Sequence, residues 1–397
     1  MAPDPNARRT IAFVNLGHAL DHFLLLIYPT AVIAIAAESG LAYGELIGLS
    51  TGAFVAFGVL SLPMGWLAAR FGRRSLFAAF LLGGGAACLG MAFSGSPLAF
   101  AFWLTVLGAF AAIYHPIGST MLVANAERLG RALGVNGVWG NLGAALASGI
   151  TGLIAALLGW RAAFAVPGLV CLAAGVAFLA LVPDERARPP AAAESSAGVR
   201  FAHPLLLFML FAVAVVAGGL TFNFTTIALP KVIDERLGTP LPLWLTGSLA
   251  TTVFVLGALM QLAAGRLVDR LPLPTLFLAL STLQPLGLGL AALTTGLPML
   301  VGLALAMSAI YGQVVVNDAM IARFVPGEWR ARAFSIRYFL GFTTSGFAVP
   351  MIAILHGTGG FVAVLAVAAA AGLAIFGAAL ALALLARPAA PELAAAE

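Results

Sequence analysis

Residues 65–70 read Gly-Trp-Leu-Ala-Ala-Arg, and residues 265–270, which lie 200 positions later, read Gly-Arg-Leu-Val-Asp-Arg. Further matches at offsets of 197 to 201 keep the same chain order: Leu76-Phe77 with Leu276-Phe277, Ala112-Ile113-Tyr114 with Ala309-Ile310-Tyr311, Arg131-Ala132 with Arg332-Ala333, and Gly140 with Gly341. Each match is short, but chance rarely keeps both order and spacing. The pattern indicates that the chain consists of two related halves in the same orientation.

The composition excludes a soluble globular protein. Of the 397 residues, 62% are hydrophobic and 9% are charged, whereas an ordinary soluble domain is about 45–50% apolar and about 25% charged. Intrinsic disorder is also disfavoured, because it requires low hydrophobicity and high charge. The formal net charge of +5 comes from basic residues spread along the chain, which does not predict nucleic-acid binding. Cys88 and Cys171 lie in apolar runs, so no disulfide framework is expected.

Apolar segments of membrane-spanning length recur along the whole chain. A helix needs roughly 20 apolar residues to cross the hydrocarbon core. Residues 183–203 form the longest polar stretch, and their Pro, Ala and Ser content is typical of a flexible linker. We therefore predict an all-α polytopic membrane protein with two pseudo-symmetric six-helix bundles, residues 1–182 and 204–397. The twelve predicted spans are 11–37, 45–69, 75–93, 97–124, 131–158, 161–182, 204–229, 241–268, 274–293, 296–323, 332–356 and 358–386.

The basic residues predict the orientation of these spans. Sixteen of the 20 lysines and arginines lie on the cytoplasmic side if the N-terminus is cytoplasmic. This asymmetry is what the positive-inside rule requires for an even number of spans. We expect a bacterial inner-membrane protein with both termini in the cytoplasm.

The stretch Gly65-Trp-Leu-Ala-Ala-Arg-Phe-Gly-Arg-Arg74 resembles the signature between the second and third helices of the major facilitator superfamily. The resemblance implies two bundles that rock around a central site. In the family an acidic residue of this signature helps to latch the bundles on the cytoplasmic side. Ala69 replaces that acid, whereas the second half keeps Asp269, which favours inward opening. The resemblance implies a role in conformational gating for Gly65, Arg70, Gly72, Arg73, Asp269 and Arg270.

Three further segments are similar to the fosmidomycin-resistance-like transporters: Gly17-His18-Ala-Leu-Asp21-His22, Tyr114-His115-Pro116 and Gly137-Val-Trp-Gly-Asn-Leu-Gly143. Residues 140–144 stand in place of that group's antiporter signature and keep only part of it. Glycines 134, 137, 140 and 143 form a stripe on the fifth predicted span. Because small residues permit close helix approach, we expect this stripe to pack against the opposite bundle, with Gly137 and Gly140 acting in gating.

Ionisable side chains inside membrane spans are rare and usually functional. In the first span Asn15, His18 and His22 share a face that Asp21 borders, and His115 of the fourth span lies at a comparable depth. Because histidine titrates near neutral pH, we predict that Asp21, His18, His22 and His115 couple transport to protons. Two alternatives are a purely structural pairing of these groups and a metal site at His18, Asp21 and His22.

A second polar cluster is predicted near the cytoplasmic end of the second half. Asp318 and Arg337 lie at equal depth in the tenth and eleventh spans. They form either a structural ion pair or an anion-binding arginine with Asp318 as a switchable, proton-coupling partner. The remaining candidate substrate contacts are His115, Tyr114, Asn141, Asn223, Tyr311 and Gln313.

No phosphate-binding loop occurs in the sequence, so an ion gradient and not ATP is expected to supply the energy. We predict a proton-coupled secondary transporter, acting as a monomer in the lipid bilayer, that exports a small organic molecule by antiport. Uptake of an organic anion by proton symport is the main alternative. No cofactor, bound metal or enzymatic activity is predicted, although a metal transporter or an intramembrane hydrolase using Ser119 near His115 remains a remote alternative.

Overall fold

The structure is a computed structural model that describes residues 5–127, 129–183, 204–325 and 327–385. The described residues are helical apart from short connections, which confirms the predicted all-α class. The predicted linker lies outside the described residues except for Pro183. The helices are α1 Pro5–Ser39, α2 Tyr43–Gly48, α3 Thr51–Leu60, α4 Met64–Phe71, α5 Arg73–Ala92, α6 Pro97–Ala111, α7 Tyr114–Asn125, α8 Leu129–Leu158, α9 Trp160–Leu181, α10 Pro204–Arg236, α11 Leu243–Leu267, α12 Leu273–Leu293, α13 Gly296–Phe324 and α14 Gly327–Leu385.

Within the described residues, 11 helices are long and apolar enough to cross a membrane. The last of them belongs to α14, whose 59 residues would extend about 88 Å as one straight helix, far beyond a hydrocarbon core of about 30 Å. Gly359 and Gly360 interrupt α14 with non-helical backbone angles, and Gly360 has a φ of 60°, which glycine adopts without steric cost. Because the break lies at the start of the twelfth predicted span, α14 contains two helical segments, and counting both gives twelve passes among the described residues.

Two spans that the sequence predicted as single helices are broken. The second comprises α2, α3 and α4, and the fourth comprises α6 and α7. Pro116 cannot donate a backbone hydrogen bond to the carbonyl of Ala112, and the helix is interrupted there, between Ala111 and Tyr114. Pro63 has the same effect on the turn between α3 and α4.

Each half packs internally through close helix pairs. In the first half α1 packs on α8, α5 on α9 and α3 on α6, and in the second half α10 packs on α14 and α12 on α13. A Cβ atom added at Gly143 would lie 2.0 Å from the carbonyl oxygen of Ala19, and one at Gly140 would lie 2.5 Å from Nε2 of His18. The predicted partner of the glycine stripe was therefore wrong, because these glycines of α8 pack against α1 in their own half.

The two halves meet where α8 contacts α11 and where α2 and α3 contact α14. We call the end that carries Arg70 and Arg270 the basic end and the opposite end the far end. The rings of Tyr43 and His356 lie 4.9 Å apart at the far end. Nearer the middle, Asn141 Nδ2 donates to Gln261 Oε1 at 2.7 Å. The Tyr43–His356 contact closes the far end of the interface, and the Asn141–Gln261 bond joins the halves near the middle.

Towards the basic end the described part of α8 has room beside it. A Cβ atom added at Gly134 or Gly137 would meet no atom of a neighbouring element within 4 Å. By contrast, α8 reaches α11 further along, where Thr251 Oγ1 donates to the Ala145 carbonyl at 2.6 Å. Among the described residues, the contacts of α8 with α11 therefore extend from the far end to Asn141, and a Cβ atom at Gly134 or Gly137 would meet no neighbouring element.

A substitution at the interface tests this closure. A Cβ atom at Gly247 would lie 2.3 Å from the Ser148 carbonyl oxygen across the interface. Such overpacking costs about 1–3 kcal/mol, so Gly247→Ala should loosen the far-end contact. We expect about ten-fold faster labelling of a Ser148→Cys reporter by a water-soluble maleimide. Gly289→Ala, whose added Cβ meets no neighbour within 4 Å, is the control, and equal rates in both variants would contradict the closure.

Candidate functional site

A cavity of about 220 Å³ lies between the two halves. α1 and α3 of the first half line it together with α10, α13 and α14 of the second half. Most of its wall is apolar and includes Phe54, Phe57 and Phe222. A small apolar cavity with a few convergent polar groups is the usual form of a small-molecule site. The principal polar groups on the wall are His22, Asn223, Gln313, Asn317 and Arg337.

Arg337 is the cationic group on the cavity wall. Its guanidinium donates to the Asp318 carboxylate, and its Nη2 lies 3.3 Å from the Val314 carbonyl oxygen. The Arg337 side chain is 11% exposed and that of Asp318 is 36% exposed. The structure thus forms the ion pair that equal depth in adjacent spans predicts. Asp318 lies six residues before the end of α13, on the side of the basic end.

Buried amides behind the cavity form a chain of hydrogen bonds. Gln313 Nε2 donates to Gln284 Oε1 at 2.7 Å, and Gln284 Nε2 donates to Thr221 Oγ1 at 2.7 Å. These bonds tie α13, α12 and α10 together and hold the Gln313 amide in place. Asn223 lies on the wall, but its Nδ2 donates to the Gly219 carbonyl at 2.7 Å. Of the neutral polar candidates, Gln313 and Asn223 therefore reach the cavity in hydrogen-bonded positions.

Two wall residues that the sequence analysis missed are Asn317 and Thr226. Asn317 Oδ1 and Thr226 Oγ1 are buried and have no hydrogen-bond partner among the described residues, and both residues line the cavity. A buried polar group without a partner costs free energy, so a bound molecule that hydrogen-bonds these atoms would remove that cost. The sequence does show each of them as a polar residue inside an apolar span. It does not show whether the residue faces the cavity.

A cluster of three histidines borders the cavity on the side of the first half. His18 and His22 lie one turn apart on α1, and His115 lies at the start of α7, beside the break before Pro116. Their ring centroids are 5.0–5.5 Å apart. His115 Nε2 lies 3.4 Å from Oδ2 of Asp21, which is fully buried. The structure brings together the four residues that the sequence placed at similar depth, and the proton-coupling role assigned to them stays a prediction.

A hydrogen-bond network behind the histidines holds Tyr114 in the interior of the first half. The Tyr114 hydroxyl donates to the Val14 carbonyl at 3.0 Å and meets Asn136 Nδ2 at 3.0 Å. Asn136 Nδ2 also lies 3.0 Å from Asn15 Oδ1. The Tyr114 ring stacks on His18 with a centroid distance of 4.9 Å. Tyr114 is thus a packing residue of the first half, and Asn136, which was not selected from the sequence, organises the network.

The other candidates lie away from the cavity wall. Tyr311 is buried against Phe222, with ring centroids 5.9 Å apart, and Asn141 joins α8 to α11.

In the signature segments, Gly72 takes a left-handed φ of 81° between α4 and α5. Asp269 pairs with Arg323 of its own half at 3.1 Å, which is not the cross-bundle latch that the resemblance implied. Gly65, Arg70, Arg73 and Arg270 lie at the basic end, and their gating role stays a prediction.

Membrane-spanning helices from both halves of the chain that face one another across a cavity define a membrane transporter built from two bundles. A sequence profile described as the Major Facilitator Superfamily matches residues 11–312. The chain belongs to this superfamily, and it is therefore a transporter of small molecules and not an enzyme. A comparison with curated proteins finds no match.

Solved structures of similar fold cover nearly the whole chain. A bacterial homologue of the human lysosomal transporter Spinster, in an inward-facing and occupied conformation, has a TM-score of 0.73 at 13% identity, covering 97% of this chain and 95% of that one. A D-xylose–proton symporter has a TM-score of 0.73 at 15% identity, covering 93% and 95%. The inward-open xylose transporter XylE from E. coli has a TM-score of 0.72 at 14% identity, covering 97% and 98%. At these identities the likeness is one of fold.

Proposed function

We propose that the protein is a proton-coupled secondary active transporter that moves a small organic molecule by alternating access. The observation that carries the proposal is the Arg337–Asp318 pair at a cavity between two bundles that touch at the far end. In this state the cavity exchanges with the basic end, and rocking of the bundles would expose it to the far end. The inward-facing state of relatives with the same fold supports this cycle.

The ion pair provides a physical link between a proton and a substrate. A charge within a membrane span costs about 2.5–3.5 kcal/mol when it lacks a partner, so Arg337 needs either Asp318 or another anion. When Asp318 takes up a proton, its carboxyl loses its charge and Arg337 becomes available to an anionic group in the cavity. Proton uptake and anion binding would therefore favour one another. The apolar wall would accept the carbon skeleton of such a molecule.

The direction of transport has two candidates. Similarity of the His18–His22 and Tyr114–Pro116 segments to the fosmidomycin-resistance-like group supports placement near that group and export by antiport. Proton uptake by Asp318 would favour anion binding by Arg337, and this coupling supports symport of an organic anion. The excess of basic residues at one end supports a bacterial inner-membrane location with both termini in the cytoplasm. A monomer is the form that we propose, because each chain contains both bundles.

The experiment begins with a thermal-unfolding screen of the purified protein against metabolites and drugs, because a ligand that binds the folded state raises its apparent stability. The molecule with the largest effect is then followed in proteoliposomes with an imposed pH gradient. Antiport predicts that the molecule moves against the direction of proton flow, and symport predicts that it moves with the protons. Transport that does not respond to the pH gradient would refute both.

A further inference from the structure

We propose that His18, His22 and His115 bind one divalent transition-metal ion at the wall of the cavity. Each histidine offers one ring nitrogen, and these three atoms lie within 4.8 Å of one another. Nitrogen ligands sit about 2.0–2.1 Å from a zinc ion, so tetrahedral coordination places them about 3.4 Å apart. Binding therefore requires the ring nitrogens to move towards one another by up to about 1.4 Å. The sequence analysis predicted no bound metal and considered a site at His18, Asp21 and His22 only as an alternative, and the structure adds His115 from a distant span.

Hydrogen bonding prepares His18 to act as a ligand. Its Nδ1 lies 2.8 Å from the carbonyl oxygen of Asn136. Because a carbonyl oxygen only accepts, Nδ1 carries the proton and Nε2 keeps its lone pair. Metal-binding histidines are usually oriented in this way, because the N–H of the second ring nitrogen donates a hydrogen bond to a carbonyl or carboxylate oxygen. The Asn136 network, anchored by Tyr114 and Asn15, holds this acceptor in place.

Asp21 supplies the negative charge that a divalent ion needs in this setting. Its carboxylate is fully buried, and its Oδ2 lies 3.4 Å from His115 Nε2. Neither oxygen has a hydrogen-bond partner among the described residues. Such a carboxylate is costly without compensating charge, and a cation held by the adjacent imidazoles would supply it. Asp21 can either orient the His115 ring from behind or complete the coordination directly.

The ligand set favours a particular class of ion. Imidazole nitrogens suit Zn²⁺, Co²⁺, Ni²⁺ and Cu²⁺, whereas Mg²⁺ and Ca²⁺ prefer oxygen ligands. His22 lines the cavity, so an ion at the cluster can exchange with the medium. Three protein nitrogens leave a coordination position for water or for a donor atom of a molecule in the cavity. The site is independent of Asp318 and Arg337, which carry the proposed proton coupling.

The test uses the purified full-length protein without a polyhistidine tag and titrates it with Co²⁺. We expect one Co²⁺ per chain with the intense visible absorption of a tetrahedral site, displacement by Zn²⁺ and no displacement by Mg²⁺. His115→Gln and His22→Gln should each weaken binding by about 100-fold or more, and Asp21→Asn by about ten-fold. His356→Gln is the matched control, because His356 lies at the far end beside Glu235 at 3.2 Å.

Thermal unfolding separates loss of the site from loss of the fold. Zn²⁺ should raise the apparent Tm of the wild type and of His356→Gln, and it should leave that of His115→Gln and His22→Gln unchanged. Two variants on different helices are used so that misfolding of one does not decide the result. The proposal is overturned if the folded wild type binds no Co²⁺ or if both histidine variants bind it as tightly as the wild type. Equal loss in His356→Gln would also overturn it.

Discussion

Asp318→Asn is expected to abolish accumulation driven by a pH gradient while leaving exchange of the transported molecule across the membrane largely intact. A gradient of about one pH unit stores about 1.4 kcal/mol, which supports an about ten-fold concentration ratio at one proton per molecule. Asparagine still accepts a hydrogen bond from Arg337, but it cannot take up or release a proton. The accumulation ratio should therefore fall from about ten to about one, as measured with a labelled ligand in proteoliposomes.

Asp269→Asn is the matched control for this prediction. Asp269 also pairs with an arginine, Arg323, but its side chain is 78% exposed, and exposed ion pairs contribute little. The control should accumulate the ligand as the wild type does. A wild-type ratio in Asp318→Asn would remove Asp318 from the coupling step.

Arg337→Met is expected to lower stability and to abolish binding of an anionic ligand. Removing one partner of a fully buried pair costs about 3–5 kcal/mol. The cost here should be smaller, about 2 kcal/mol, because the Asp318 side chain is 36% exposed and is not fully buried. Thermal unfolding measures the stability, and ligand-induced stabilisation measures the binding.

The double variant Arg337→Met/Asp318→Asn separates the structural from the functional interpretation of the pair. Because it removes both charges, we expect it to recover most of the lost stability. Ligand binding should not return, since no cation remains at this position of the cavity wall. If the double variant binds and transports as the wild type does, then the pair is structural and Arg337 does not contact the substrate.

The architecture was predictable because membrane thickness fixes the length of an apolar segment. The number of passes follows from that length, and the division of α14 at Gly359 and Gly360 falls just inside the twelfth predicted span. The interruptions of the second and fourth spans were not predicted in full, although Pro63 and Pro116 mark them in the sequence. A proline shows where a hydrogen bond is missing, but the neighbouring helices determine whether the helix bends or breaks.

The sequence predicted how deep in the membrane the candidate residues lie, but not which direction each residue faces from its helix. Counting residues from the ends of the spans predicted that Asp318 and Arg337 lie at the same depth. It also predicted that His115 lies at the depth of the polar residues of the first span. The same method could not show that Tyr114 faces the interior of its bundle, or that Asn317 faces the cavity. It also assigned the glycine stripe of α8 to the wrong neighbour, because a stripe of small residues shows which face is tightly packed and not which helix packs on it.

The most direct measurement is of proton movement caused by the transported molecule itself. Proteoliposomes containing a pH-sensitive dye and either the wild type or Asp318→Asn are exposed, with no imposed gradient, to the ligand that most stabilises the protein. The proposal predicts a change of internal pH with the wild type and none with Asp318→Asn, although the ligand enters both. Entry of the ligand through the wild type without proton movement would contradict proton-coupled transport.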